Sequence, residues 1–180
     1  MSGTHNLNNA LAAVAAARHA GVPPKAAVEA LSGFRNAKRR MELIGELGGV
    51  RVFDDFAHHP TAIETTLKGL GAQVPESRII AILEPRSNTM RMGVHGERLP
   101  ASLKTADRVL IFSPPDLEWN AREEFVLLGE KLVVCEAVEE IVQRVVDTVQ
   151  AGDQVLIMSN GGFGGIHQRL LDALENRYQP

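Results

Sequence analysis

Four short apolar runs constrain this chain more than any other feature: "RIIAILE" at 78–84, "RVLIFS" at 108–113, "KLVVCE" at 131–136 and "QVLIMS" at 154–159. Each has the length and branched composition of a buried strand, and the segments between them carry apolar residues at helical spacing. Ile63, Leu67 and Leu70 share a stripe between 60 and 71, and Val138, Ile141, Val142, Val145, Val146 and Val149 share another between 137 and 150. The segment 96–106 reads as a further helix, and "IHQRLLDALENRY" as the last. Strands that alternate with amphipathic helices need cover on both sheet faces, so the expected fold class is α/β with a mostly parallel sheet. Sheets of this kind carry their sites at the carboxyl ends of the strands. That rule selects four loops: 54–60, 84–95, 113–120 and 159–165.

Upstream the texture differs. "THNLNNALAAVAAARHAG" reads as a helix capped by Thr4, with Leu7, Leu11, Val14 and Ala15 on one face and Gly21 as its stop. "VPPKAAVEALSGF" is a second helix, with Pro24 in the first turn and Gly33 near the exit. "MELIGELGGVRVFDDF" then offers two strand-like runs joined by Gly48-Gly49, a dipeptide suited to a tight hairpin. A boundary is expected at 35–40, dividing helices over 1–36 from a sheet domain over 37–180.

Composition narrows the function classes. A hydrophobic share of 44% and a charged share of 23% fit a globular domain with one core. No apolar run is long enough to span a bilayer and the start lacks a secretory pattern, so no membrane partner and a cytoplasmic location are expected. The net charge of -3, with both signs scattered, gives no footprint for nucleic acid, and "NAKRR" is too short a basic run to supply one. Cys135 is the single cysteine, so no internal disulfide forms, and its apolar setting reads as a buried strand thiol.

Three loops carry chemistry. In "DDFAHHPTAI", Asp54 and Asp55 close a strand and Pro60 opens a helix, which leaves His58 and His59 in the turn. The residues alone leave open a metal site, a polar cluster for phosphate or ribose, and a solvated turn. Adjacent residues rarely ligate one ion together, and no His-x-x-His or Cys-x-x-Cys spacing accompanies them; no metal site is assigned. In "EPRSNTMRMGVH", Arg86 and Arg91 flank Ser87, Asn88 and Thr89, a set that suits carboxylates or phosphates, with a plain basic surface loop as the other reading. In "SNGGFGG", Ser159, Asn160, Gly161 and Gly162 precede a helix and can present N–H groups to an anion. The spacing is not G-x-G-x-x-G, and no G-x-x-x-x-G-K-[ST] phosphate loop occurs anywhere, so any ATP site here is partial. Trp119 in "DLEWN" reads as a packing residue.

Taken together, "HNLNNALAA", "RRMELIGE", "DDFAHHPTAIETTL", "LEPRSNTMRMG" and "MSNGGFGGIHQRLLDAL" resemble the carboxy-terminal part of a Mur ligase. "EPRSNTM" points to the tripeptide-adding branch, because the L-alanine-adding members share D-x-x-H-H-P but carry histidine and tyrosine in the former loop. The resemblance implies a Rossmann-like domain preceded by the last helices of a central ATPase domain, with the phosphate loop, the magnesium-binding acids and a modified lysine all upstream of Met1. It implies ATP and Mg2+ as cofactors of the whole bacterial enzyme. It also implies joining of L-alanyl-γ-D-glutamyl-meso-diaminopimelate to UDP-N-acetylmuramate, in peptidoglycan recycling. By the same resemblance Asn6, Asn9, Arg40 and Asp55 face the nucleotide, and Arg40, Asp55 and His58 serve the reaction. Arg86, Ser87, Asn88, Thr89, Arg91, Ser159, Asn160, Gly161 and Gly162 would bind the incoming peptide. The 180 residues alone are expected to be inactive.

Overall fold

The structure is a computed structural model that describes residues 4–34, 37–115 and 117–179. The chain forms two compact units, 1–38 and 39–180. The first holds α1 (Thr4–His19) and α2 (Pro24–Ser32). Gly21 ends α1 with φ +90°, and the Val22 N–H donates to the Ala17 carbonyl at 2.9 Å. That closure follows from glycine's tolerance of the left-handed region. The side chain of Thr4, the expected cap, lies outside the described residues. Leu7 and Leu11 are each 68% exposed and α2 has no buried residue, so this unit makes little core of its own.

The second unit is built on a six-stranded sheet. In chain order its elements are β1 (Glu42–Leu47), β2 (Val50–Asp55), α3 (Pro60–Gln73), β3 (Ile79–Leu83), α4 (Asn88–Arg91), α5 (Arg98–Ser102), β4 (Arg108–Phe112), α6 (Ala121–Glu124), β5 (Leu132–Cys135), α7 (Val138–Thr148), β6 (Gln154–Met158) and α8 (Ile166–Tyr178). The strand order is β1-β2-β6-β3-β4-β5, antiparallel between β1 and β2 and parallel elsewhere. Alternation along the strands sorts side chains into two cores. Ala81, Leu83, Leu156 and Met158 pack with Ile63, Leu67 and Leu70 of α3 and Leu99 of α5. Ile80, Ile82, Val155 and Ile157 pack on the other face with Ile141 and Val145 of α7 and Leu170 and Leu174 of α8. The α/β class, the parallel sheet and the helices on both faces are as the strand runs predict.

Two local differences have physical causes. The helix expected over 96–106 contracts to α5, five residues long, because the Ser102 hydroxyl donates to the Leu99 carbonyl at 2.6 Å and competes with continued helix. The loop after β4 does not run straight to β5: Asn120 caps α6 by accepting from the Arg122 N–H at 3.0 Å, and a 3-10 turn over Val126–Lys131 follows. The hairpin forms as expected, with Gly48 at φ +57° and Gly49 at φ +78°.

Candidate functional site

β2 and β3 both pair with β6 so that Asp55 and Leu83 lie level with Met158. The loops that leave these strands therefore emerge side by side at one edge. The last two residues of β2 alternate like the rest of the strand, which sends two adjacent carboxylates to opposite faces. Asp54 turns toward α8, where its Oδ1 lies 3.0 Å from Nε2 of His167, and its Oδ2 accepts from Nε of Arg39 at 3.0 Å. Burial would raise the Asp54 pKa, but His167 and Arg39 outweigh it and hold the carboxyl below its ordinary range. Asp55 turns toward α3 and is buried. It accepts from the Met41 N–H at 2.7 Å, the Ala57 N–H at 2.8 Å and the Thr66 hydroxyl at 3.3 Å. Burial raises its pKa in spite of those bonds to Met41 and Ala57.

This arrangement shapes the junction segment. Arg39 and Met41 have φ of 57° and 50°, a region non-glycine residues enter only when their surroundings hold them there. Here they do: the Arg39 N–H donates to Glu42 at 2.7 Å, its carbonyl accepts from the Phe56 N–H at 2.9 Å, and the Met41 N–H is taken by Asp55. Between them Arg40 is exposed, with its guanidinium 5.8 Å from the Phe56 ring centroid.

The two histidines also part company. Nδ1 of His58 donates to the Phe56 carbonyl at 2.8 Å, and its ring meets Phe56 edge-on at 5.2 Å. His59 caps α3: its Nδ1 accepts from the Thr61 N–H at 3.2 Å, while its ring stacks on His95 at 6.2 Å. Burial, with His59 and Arg98 nearby, lowers the His95 pKa. The opposed faces of Asp54 and Asp55 separate the four residues that a metal site in this loop would need in one place.

The third cluster joins two loops that are far apart in sequence. Glu84, 8% exposed at the end of β3, receives the Ser159 hydroxyl on Oε2, and its Oε1 stands 3.8 Å from Nη1 of Arg86. The Ser159 oxygen in turn accepts from the Gly161 N–H at 2.9 Å. Arg86 lies so close over Gly161 that a Cβ there would fall 2.4 Å from its Cδ; glycine is needed for the approach. Ser87 caps α4 by accepting from Met90 at 3.4 Å and contacts the Thr89 hydroxyl at 3.3 Å, while Asn88 and Thr89 are exposed. Arg91 is half-buried on the same short helix, Asn160 is half-buried, and Gly162 is exposed. Trp119 reaches across from the loop after β4 and donates from Nε1 to the Met90 carbonyl at 2.7 Å. Its indole is half-buried against the Phe125 ring at 5.8 Å.

The geometry therefore brings Arg86 together with Ser159 and Gly161, and Arg40 together with Phe56 and His58. Asn6 and Asn9 belong to α1 in the first unit, half-buried and exposed respectively. Sequence reasoning missed Arg39, which stands beside the residue it did select. It also missed Glu84, whose position as the last residue of an otherwise apolar run, just before Pro85, was the available signal. Among the described residues no three His, Cys, Asp or Glu side chains stand together as a metal site, and the chain has no phosphate loop. The described residues do not by themselves make up a magnesium–nucleotide site. Cys135 is buried in β5 and its thiol is pushed up to about 11, chiefly by burial, which keeps it protonated and inert near neutrality.

The fold is thus a mostly parallel sheet with an antiparallel hairpin at one edge and an arginine–glycine cluster at its carboxyl end. Residues 39–161 match the Mur ligase glutamate ligase domain, and the chain belongs to that family. It is 51% identical over 176 residues to the UDP-N-acetylmuramate–L-alanyl-gamma-D-glutamyl-meso-2,6-diaminoheptandioate ligase of Escherichia coli K12, covering 97% of this chain and 38% of the relative. The enzyme of the same name from Haemophilus influenzae is 45% identical, over 96% of this chain and 38% of its own length. A murein peptide ligase from Psychrobacter arcticus 273-4 superposes with a TM-score of 0.77 at 50% identity, over 98% of this chain and 38% of that one. The chain thus spans about 38% of the length of the curated relatives it matches. A UDP-N-acetylmuramate–alanine ligase from Thermotoga maritima has the same fold, with a TM-score of 0.83 at 23% identity, covering 98% of this chain and 39% of that one.

Proposed function

We propose that this chain is the peptide-receiving end of an ATP-dependent amide ligase that joins L-alanyl-γ-D-glutamyl-meso-diaminopimelate to UDP-N-acetylmuramate in the bacterial cytoplasm. One observation carries the reading: the Arg86 guanidinium and the Gly161 N–H segment meet at the carboxyl edge of the sheet, where Glu84 and Ser159 join their loops. A tripeptide with several carboxylates calls for such a fork beside backbone donors. Arg86, Arg91, Ser87, Asn88 and Thr89 contact it from one loop, and Asn160, Gly161 and Gly162 from the other, while Ser159, fully buried with its hydroxyl bonded to Glu84 and Gly161, holds that loop in place instead of touching the peptide as the sequence suggests. The chain's part in the reaction is to orient the attacking amine and stabilise developing charge, which is where such positioning lowers a barrier.

On the opposite side of the β2 edge, exposed Arg40 reaches the nucleotide. Asp55 fixes its backbone through Met41, and His58 lines the same surface through Phe56. By the same reading the first unit belongs to the nucleotide-binding domain, with Asn6 and Asn9 as its nucleotide contacts. ATP chemistry with Mg2+ belongs to parts of the ligase outside these 180 residues, so the isolated chain has no ligase turnover. The L-alanine-adding relatives, 36% identical in the enzyme from Pelotomaculum thermopropionicum, are the weaker comparison.

Calorimetric titration tests the peptide site directly. The tripeptide should bind saturably, L-alanine and NAD should not, and Arg86→Ala should weaken binding about tenfold, as loss of a charge-assisted hydrogen bond does. Tripeptide heats no different from those of L-alanine would overturn the reading.

A further inference from the structure

The Arg39 side chain is engaged at three points. Its Nε donates to Asp54 at 3.0 Å, its Nη2 donates to the Ser159 carbonyl at 2.7 Å, and its guanidinium lies 5.3 Å over the Phe56 ring. Asp54 is itself fixed from the other side by His167 of α8. The fork is thus aimed by a carboxylate on β2 at one peptide carbonyl after β6. We propose that Arg39 is a positioning residue that sets the plane of the Ser159–Asn160 peptide, and through it the donors of the loop up to Gly162.

The other bonds of Ser159 explain why this bond matters. Its N–H donates to the Asp55 carbonyl at 3.2 Å, which continues the sheet, and its hydroxyl bridges Glu84 and the Gly161 N–H. Neither fixes the peptide plane that follows. The carbonyl does, and Arg39 is its donor. A lysine has the charge but not the planar fork, so it cannot serve Asp54 and the carbonyl in the same geometry. Because Arg39 directly precedes Arg40, one short segment fixes both the peptide loop and the exposed guanidinium. The inference rests on the proposed function only in calling that loop peptide-facing.

The test is amide hydrogen exchange and 1H–15N spectra of the 180-residue chain carrying Arg39→Lys. Arg51→Lys serves as the control, since Arg51 sits in β2, the strand of Asp54, 3.8 Å from Glu46 and 5.1 Å over Phe53. Arg39→Lys should speed exchange at Asn160–Gly162 about tenfold relative to Val155–Met158 and move the Asn160 resonance, the loss expected for a bond to a charged donor. Arg51→Lys should do neither. General destabilisation would raise loop and strand together, so the ratio separates the two causes. An unchanged ratio and an unmoved Asn160 resonance would overturn the proposal. If the ratio changes while tripeptide affinity does not, Arg39 still positions the loop and the peptide assignment of that loop fails instead.

Discussion

At the residue scale, Asp54 and Asp55 show how one strand period divides neighbours. Their composition and spacing are identical, but one is an ion-paired carboxylate under α8 and the other a buried acceptor under α3. Their pKa values move in opposite directions, so their contributions to stability have opposite dependence on pH. Asp54 has a folded-state pKa below its unfolded value; its contribution is present above the unfolded pKa, about 3.9, and is lost as pH falls through the folded one. Asp55 has a raised pKa, so ionising it opposes folding as pH rises from the unfolded value through the folded one. Replacing Asp54 by asparagine should therefore lower stability at neutral pH and flatten its fall on the acid side of about pH 4. Denaturant melts at a series of pH values read this, and parallel curves for the two proteins would contradict the assignment. The pair stood out in the sequence, and its division followed from period-2 alternation. It stayed hidden because the motif draws attention to four polar residues as one cluster.

At the element scale, the strands and long helices were legible because burial on both sheet faces enforces continuous apolar runs and helical stripes. The four loops at the sheet's carboxyl edge followed from the same pattern. What was not legible depends on contacts made across sequence. α4 and α6 are four residues each and exist through their caps, Ser87 and Asn120, which no periodicity marks. The approach of Arg86 to Gly161 joins residues 75 apart, and only the folded sheet creates it. Trp119 was read as packing, and it packs, but its indole N–H also ties the loop after β4 to the carbonyl of Met90. Trp119→Phe keeps the ring and removes that donor. Thermal unfolding should register a loss of about 0.5–1.5 kcal/mol, the net worth of one hydrogen bond, since the Met90 carbonyl keeps the Gly93 N–H at 3.1 Å, with the sheet's circular dichroism unchanged. A melting curve that matches the parent's would mean the indole contributes by area alone.

At the scale of the whole molecule, the proposed function makes the second unit a platform with two working surfaces. In that reading the peptide contacts lie where the β3 and β6 loops meet, and Arg40, at the start of the same unit, faces the nucleotide. Both surfaces are tied to β2 through Asp54 and Asp55, so the strand that begins with a glycine hairpin also sets the spacing between them. The measurement that tests this account most directly is ligation by a chimera. The E. coli ligase would carry this chain in place of the 176-residue stretch it matches. The account predicts ATP-dependent joining of the tripeptide to UDP-N-acetylmuramate, none with free L-alanine, and a tripeptide KM raised about tenfold by Arg86→Ala, in line with one lost charge-assisted bond. A folded chimera that ligates L-alanine in place of the tripeptide, or whose tripeptide KM ignores Arg86, would contradict it.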